Sequence, residues 1–245
     1  MGQVLVFTSG KGGVGKTTLA ANLAFCLAAN NRKVALVDLD VGLRNLDIIM
    51  GVEHKIVYHI GDVLQGVCRL KQALIKDTRN NNLMFLPGIL SWDYSLSFQA
   101  LSELIGQLKN DFDFIIIDGP AGMDTGFQYA MHLADEVFLV VNPEICSIRD
   151  ASQVKEHIDK EYDLPIRLIV NRTRKAFFSG KHFLTTKDIE DMLILNAFGE
   201  LPNDEQIVCY INKGDFFAKK NLPISRALER ICIKIIQENR EYELC

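Results

Sequence analysis

No C-x-x-C pair stands among the chain's six cysteines, Cys26, Cys68, Cys146, Cys209, Cys232 and Cys245, so neither a zinc framework nor a disulfide scaffold is spelled out. The thiols read instead as buried or incidental groups in a reducing compartment. The five histidines form no H-E-x-x-H or related ligand pattern. No apolar run approaches the ~20 residues of a membrane-spanning helix. The first apolar stretch, Val4 to Phe7, is too short for a signal peptide, and Val6 stands where an N-myristoylation motif wants Ser or Thr. Excess positive charge is missing as well. The net charge of −4 excludes a broad basic face that coats nucleic acid, though not a local patch. No Pro/Ser/Gly-rich linker, repeat or low-complexity run divides the chain. One domain over residues 1–245 is therefore expected, in the cytoplasm.

What is present fits one large α/β domain: 245 residues, 48 % hydrophobic and 24 % charged. Gln3 to Phe7, Lys33 to Val37, Leu83 to Leu86, Phe114 to Ile117, Val137 to Val141 and Ile166 to Val170 read as buried strands. Their near-continuous apolar character suits a parallel sheet covered on both faces. Between them lie stripes at helical spacing: Leu19, Leu23 and Leu27 with Ala20, Ala24 and Ala28, then Phe98, Leu101, Ile105 and Leu108. Ile224, Ala227, Leu228, Ile231 and Ile235 form the last. The βαβα order predicts a doubly wound, mostly parallel sheet with helices on both faces and ligands beyond the carboxyl ends of the strands.

The segment Gly10-Lys11-Gly12-Gly13-Val14-Gly15-Lys16-Thr17, followed by Thr18, satisfies the P-loop pattern between a strand and a helix. Its glycines let backbone N–H groups turn inward toward phosphate oxygens, and the helix start adds its positive end. Lys16 is placed to neutralise the β/γ-phosphates, and the Thr17 hydroxyl to bind Mg²⁺. Asp38-Leu39-Asp40 closes the second strand, where residues two apart point the same way, so both carboxylates are expected to face the phosphates. Asp118 follows the run Phe114 to Ile117, and a carboxylate there suits a water-mediated hold on Mg²⁺. The implied ligands are ATP and Mg²⁺.

Lys11 inside the loop makes the form K-G-G-x-G-K-T, and with it the chain resembles the MinD/ParA family of deviant Walker A P-loop ATPases. The likeness narrows toward the septum-positioning MinD branch at Asp40-Val41-Gly42-Leu43-Arg44-Asn45-Leu46-Asp47-Ile48-Ile49-Met50-Gly51. It continues through Gln72 to Asp77, Pro120-Ala121-Gly122, Asn142-Pro143-Glu144 and Ser147-Ile148-Arg149-Asp150. It covers roughly residues 3–240 and thins after Asn171. The resemblance implies that Lys11 reaches the ATP of a second subunit and that Asp40 orients the attacking water. It also implies that Asp38 and Asp118 support Mg²⁺ through its water shell. An ATP-dependent homodimer and division-regulator partners of the MinC-like or MinE-like kind follow from the same source.

Ile166 to Val170 runs into Asn171-Arg172-Thr173-Arg174, with no N-K-x-D element for guanine, which favours adenine. Asn171 and the segment around Pro202 and Asp204 are the candidates for the base. Rival readings are a ParA-type DNA-partitioning ATPase, resting on Arg167, Arg172, Arg174, Lys175 and Lys181, and a flagellar-number regulator. An iron–sulfur carrier lacks the required cysteines, and a non-hydrolysing ATP scaffold is at odds with Lys11, Asp38, Asp40 and Asp118. The tail Glu238-Asn239-Arg240-Glu241-Tyr242-Glu243-Leu244-Cys245 carries three glutamates, Glu238, Glu241 and Glu243, against one arginine. Acidic residues disfavour an anionic lipid surface, so this C-terminus is expected to hold membrane weakly or not at all. Peripheral contact at the inner face of the cell membrane stays open.

Overall fold

The computed structural model describes residues 1–40, 45–89, 97–174 and 184–244, with backbone alone for 240–244. Among the described residues eight strands form one sheet: β1 (Gln3–Ser9), β2 (Val34–Asp38), β3 (Ile75–Lys76), β4 (Leu83–Leu86), β5 (Phe114–Ala121), β6 (Glu136–Val141), β7 (Ile166–Thr173) and β8 (Ala197–Pro202). Their order is β3-β4-β2-β5-β1-β6-β7-β8. Every pairing is parallel except β3 with β4. The central strands are buried along their lengths, which explains their unbroken apolar runs.

Both sheet edges escape the strand pattern expected from sequence. β3 has two residues, too few for any period to show. β8 reads AFGELP and contains Gly199 and Pro202, residues that ordinarily punctuate chains. Gly199 has a packing reason: a β-carbon there would stand 2.3 Å from Ile231 Cδ1. Its absence lets the last helix, Pro223–Leu244, lie close on the sheet edge.

The helices cover both faces. On one side the helix Lys16–Ala29 lies against the sheet and is roofed by the last helix. Residues Leu19 to Ala28 are all buried, so this helix is enclosed on every side instead of showing the single stripe that Leu19, Leu23 and Leu27 predict. The roof is made by Ile224, Ala227, Leu228, Ile231 and Ile235, each at most 3 % exposed. Helices Phe98–Asp111, Thr125–Leu133 and Ile145–Glu161 cover the other face through Leu101, Ile105, Leu108, Phe127, Met131, Ile148 and Ile158. Fully burying one such aliphatic side chain contributes about 1.5–3 kcal/mol. This packing fixes the carboxyl ends of β1, β2 and β5 side by side, with Asp38 and Asp118 in register on adjacent strands.

Candidate functional site

β1 ends at Ser9 and the next helix begins at Lys16, leaving residues 10–15 as a loop over the sheet's carboxyl edge. Gly13 (φ 79°) and Gly15 (φ 97°) occupy the left-handed region that a β-carbon disfavours. A β-carbon on Gly10 would lie 2.2 Å from the Asp150 carbonyl carbon, so the loop is pressed against the helix Ile145–Glu161. At Gly12 and Gly13 a β-carbon would meet nothing within 4 Å, so the loop's crest borders an open hollow. The Ser9 hydroxyl donates to the Lys11 carbonyl at 3.0 Å, bracing the loop's first turn. The helix opens on Gly15, which supplies no side-chain cap, so its first N–H groups suit an anion.

Beneath the loop, Lys16 is buried, with Nζ 2.8 Å from Asp118 Oδ1 and 3.1 Å from Asp40 Oδ2. Burial works against its charge, but the two carboxylates outweigh burial and hold its pKa above the ordinary value. Asp118 is fully buried. Burial pushes its carboxyl upward, while the Lys16 ammonium and the neighbouring Thr17 hydroxyl pull it down, leaving it raised. Asp38 is pushed well above the usual carboxylate range, first by burial and then by the charge of Asp118. Its Oδ1 accepts the Asp40 N–H at 3.0 Å.

β2 ends at Asp38, so Asp40 lies beyond the strand and the expected two-residue alternation does not orient it. The turn brings both carboxylates to the cluster by another route: Asp38 folds back on the Asp40 amide, and Asp40 meets Lys16. Three carboxyl groups face one ammonium, so acidic groups outnumber basic ones in the cluster. Asp38 Oδ2 and Asp118 Oδ2 are buried without a hydrogen-bond partner. Orphaned carboxylate oxygens in a site short of positive charge fit a hard divalent cation such as Mg²⁺, as does the Thr17 hydroxyl beside Asp118.

Lys11 stands at the loop's outer edge, with Nζ 3.3 Å from Glu144 Oε2 and the side chains 43 % and 58 % exposed. An exposed pair of this kind contributes at most about 1 kcal/mol, so it yields easily to a better partner. Val14 turns its side chain into the core, leaving its backbone to border the loop. A cleft of about 520 Å³ opens beside the loop, lined by Gly15, Thr18, Asn171, Arg172, Pro202 and Asp204 among others. Asn171 and the segment around Pro202 and Asp204, the two places suspected of meeting the base, thus share one cleft. Asn171 is engaged there: its Nδ2 donates to the Val14 carbonyl at 2.8 Å, and its Oδ1 accepts the Arg172 N–H at 2.9 Å.

Asn142 and Glu144 also line the cleft, and sequence reasoning gave neither a role. Their position just past the apolar run Val137 to Val141, at a strand's carboxyl end, was the available signal. The basic cluster divides. Arg167 lies at the opposite end of β7 from the loop, paired with Glu136 and with Glu238 at 2.8 Å and set over the Phe198 ring, whereas Arg172 and Arg174 border the cleft. Residues 41–44 of the likeness, and Lys175 and Lys181, lie outside the described residues.

Residues 2–167 match a family model described as an AAA domain. The septum site-determining protein MinD of Helicobacter pylori is 40 % identical, the alignment covering 99 % of this chain and 93 % of that protein. The structure of a MinC:MinD cell division complex from Aquifex aeolicus superposes with a TM-score of 0.89 at 37 % identity, over 96 % of each chain. MinD from Pyrococcus horikoshii, solved with Mg-ADP, gives a TM-score of 0.82 at 30 % identity, again over 96 % of each chain. A glycine loop bearing Lys11 and Lys16 above Asp38, Asp40 and Asp118, in a chain similar to these relatives over nearly its whole length, has one consistent reading: the chain belongs to the MinD/ParA family of deviant Walker A P-loop ATPases.

Proposed function

We propose that this ATPase is a nucleotide-gated switch in division-site placement, closing as a dimer around Mg·ATP and opening after hydrolysis. The observation that carries the reading is the Lys16 ammonium held between Asp118 and Asp40 directly under an open glycine loop. In this proposal the N–H groups of Gly12, Gly13, Val14 and Gly15 and the Lys16 ammonium receive the phosphates, with Gly10 and Thr18 flanking them. The adenine lies in the cleft between Asn171 and Pro202. Thr17 binds Mg²⁺ directly, and Asp38 and Asp118 hold it through water. When bound, Mg²⁺ supplies charge compensation to the transferring phosphoryl group.

Asp40 then has the task of aligning the attacking water, since phosphoryl transfer asks mainly for positioning. Lys11 leaves Glu144 for the phosphates of the partner copy, acting in trans as an arginine finger does. The septum-positioning relatives and the MinC:MinD assembly of Aquifex aeolicus support a division regulator as the protein partner. The domain is a single unit over 1–245 in the cytoplasm, and the helix Pro223–Leu244 gives it weak or no hold on membrane. The test is steady-state phosphate release with and without Mg²⁺, over a range of protein concentrations. Turnover per molecule should rise with concentration and vanish with EDTA. Turnover independent of concentration would refute the dimer-borne site.

A further inference from the structure

We infer that Asn171 is a positioning residue of the phosphate loop: it sets the Val14–Gly15 peptide so that the Gly15 N–H points at the nucleotide. This rests on the loop being the phosphate cradle. The side chain is buried, 6 % exposed, at the carboxyl end of β7, 157 positions from the residue it holds. Chemistry fixes which way its amide lies. The Arg172 N–H, 2.9 Å away, can face only the carbonyl oxygen Oδ1. The Val14 carbonyl, 2.8 Å away, can face only the Nδ2 donors. Arg172 itself adopts φ 57°, an uncommon conformation for a residue other than glycine, and in it its N–H meets the side chain of Asn171.

The consequence follows from peptide geometry. The Val14 C=O and the Gly15 N–H belong to one planar trans unit and point in opposite directions. The described residues contain no cis peptide bond. Holding the carbonyl outward on Asn171 therefore turns the amide inward, on the side of the loop away from β7. The contact is tight: a β-carbon on Gly15 would lie 2.5 Å from Asn171 Nδ2. This is a second reason, beside φ 97°, for glycine at that position. Asn171 thus ties the end of β7 to the backbone just ahead of Lys16.

Two variants separate the roles. Asn171→Asp keeps an acceptor for Arg172 but replaces the donor with an oxygen that repels the Val14 carbonyl. Asn171→Ala removes the side chain without adding charge. Calorimetry with Mg·ATP and with inorganic Mg·tripolyphosphate, which has no base, gives the first readout. Affinity for tripolyphosphate should fall together with that for ATP, by about tenfold, as expected for one lost hydrogen bond in a buried setting. Loss for ATP alone, with tripolyphosphate unchanged, makes Asn171 a base reader and overturns the proposal. Hydrogen exchange of the loop amides in the nucleotide-free protein gives a readout independent of any ligand. It should quicken over residues 10–16 in both variants while the helix Ile145–Glu161 stays protected; unchanged loop exchange also overturns it. A wild type that binds neither ligand instead refutes the phosphate-cradle reading itself.

Discussion

At the residue scale the site is built from charges that do not balance. Lys16 answers part of the negative charge of Asp38, Asp40 and Asp118, and Asp38 bears most of the strain because burial and Asp118 both oppose its ionisation. A carboxyl whose folded pKa is raised binds its proton more tightly in the folded state than in the unfolded one. The nucleotide-free protein should accordingly lose stability as pH rises from the ordinary 3.8 through the raised folded value of Asp38. Asp38→Asn removes that charge. In calorimetric melts without nucleotide at neutral pH it should gain about 1–2 kcal/mol, on the scale of relieving a poorly compensated buried ion, while Mg²⁺-dependent nucleotide binding weakens. A variant less stable than wild type counts against this view. Asp40→Ala should still bind Mg·ATP and dimerise while phosphate release falls by roughly 10²–10⁴; collapse of ATP affinity instead would reassign Asp40. The loop, Asp38, Asp40 and Asp118 were legible in the sequence because a local motif and strand ends announce them. The Lys11–Glu144 and Asn171–Val14 contacts were not, since they join positions 133 and 157 apart that only the fold brings together.

At the scale of elements, the helix carrying Lys16 owes its fixed place to being enclosed by the sheet and the last helix. Leu228 sits in that roof at 2 % exposure. Leu228→Ala should cost about 2–5 kcal/mol, as cavity-forming core truncations do. Denaturant melts measure this, and a loss below about 1 kcal/mol would show that the last helix is not the roof described. The six central strands could be read directly, because a strand buried on both faces must be apolar throughout. The edges could not. β3 is too short for a pattern, and β8 spends Gly199 on close packing against Ile231, so the residue that makes the contact possible is also the one that signals a turn. The stripe read in the helix Lys16–Ala29 was real but incomplete, since its other sides meet a second helix that sequence periodicity does not register.

For the whole molecule, the helix Pro223–Leu244 closes the core. Its apolar stripe, Ile224 to Ile235, is spent on the core, and among the described residues no helix is long and apolar enough to cross a membrane. With that face occupied, sedimentation with anionic liposomes should leave most of the protein in the supernatant with either nucleotide. Robust ATP-dependent co-pelleting would defeat that expectation. The central claim is that ATP joins two copies through Lys11, which a weak exposed pair with Glu144 leaves free to move. Light scattering on wild type and Lys11→Ala, each with Mg·ATP and with Mg·ADP, tests it most directly. The account predicts twice the 27.6 kDa chain mass for wild type with ATP alone, and monomers in the other three cases. A Lys11→Ala dimer as stable as the wild-type dimer would contradict it.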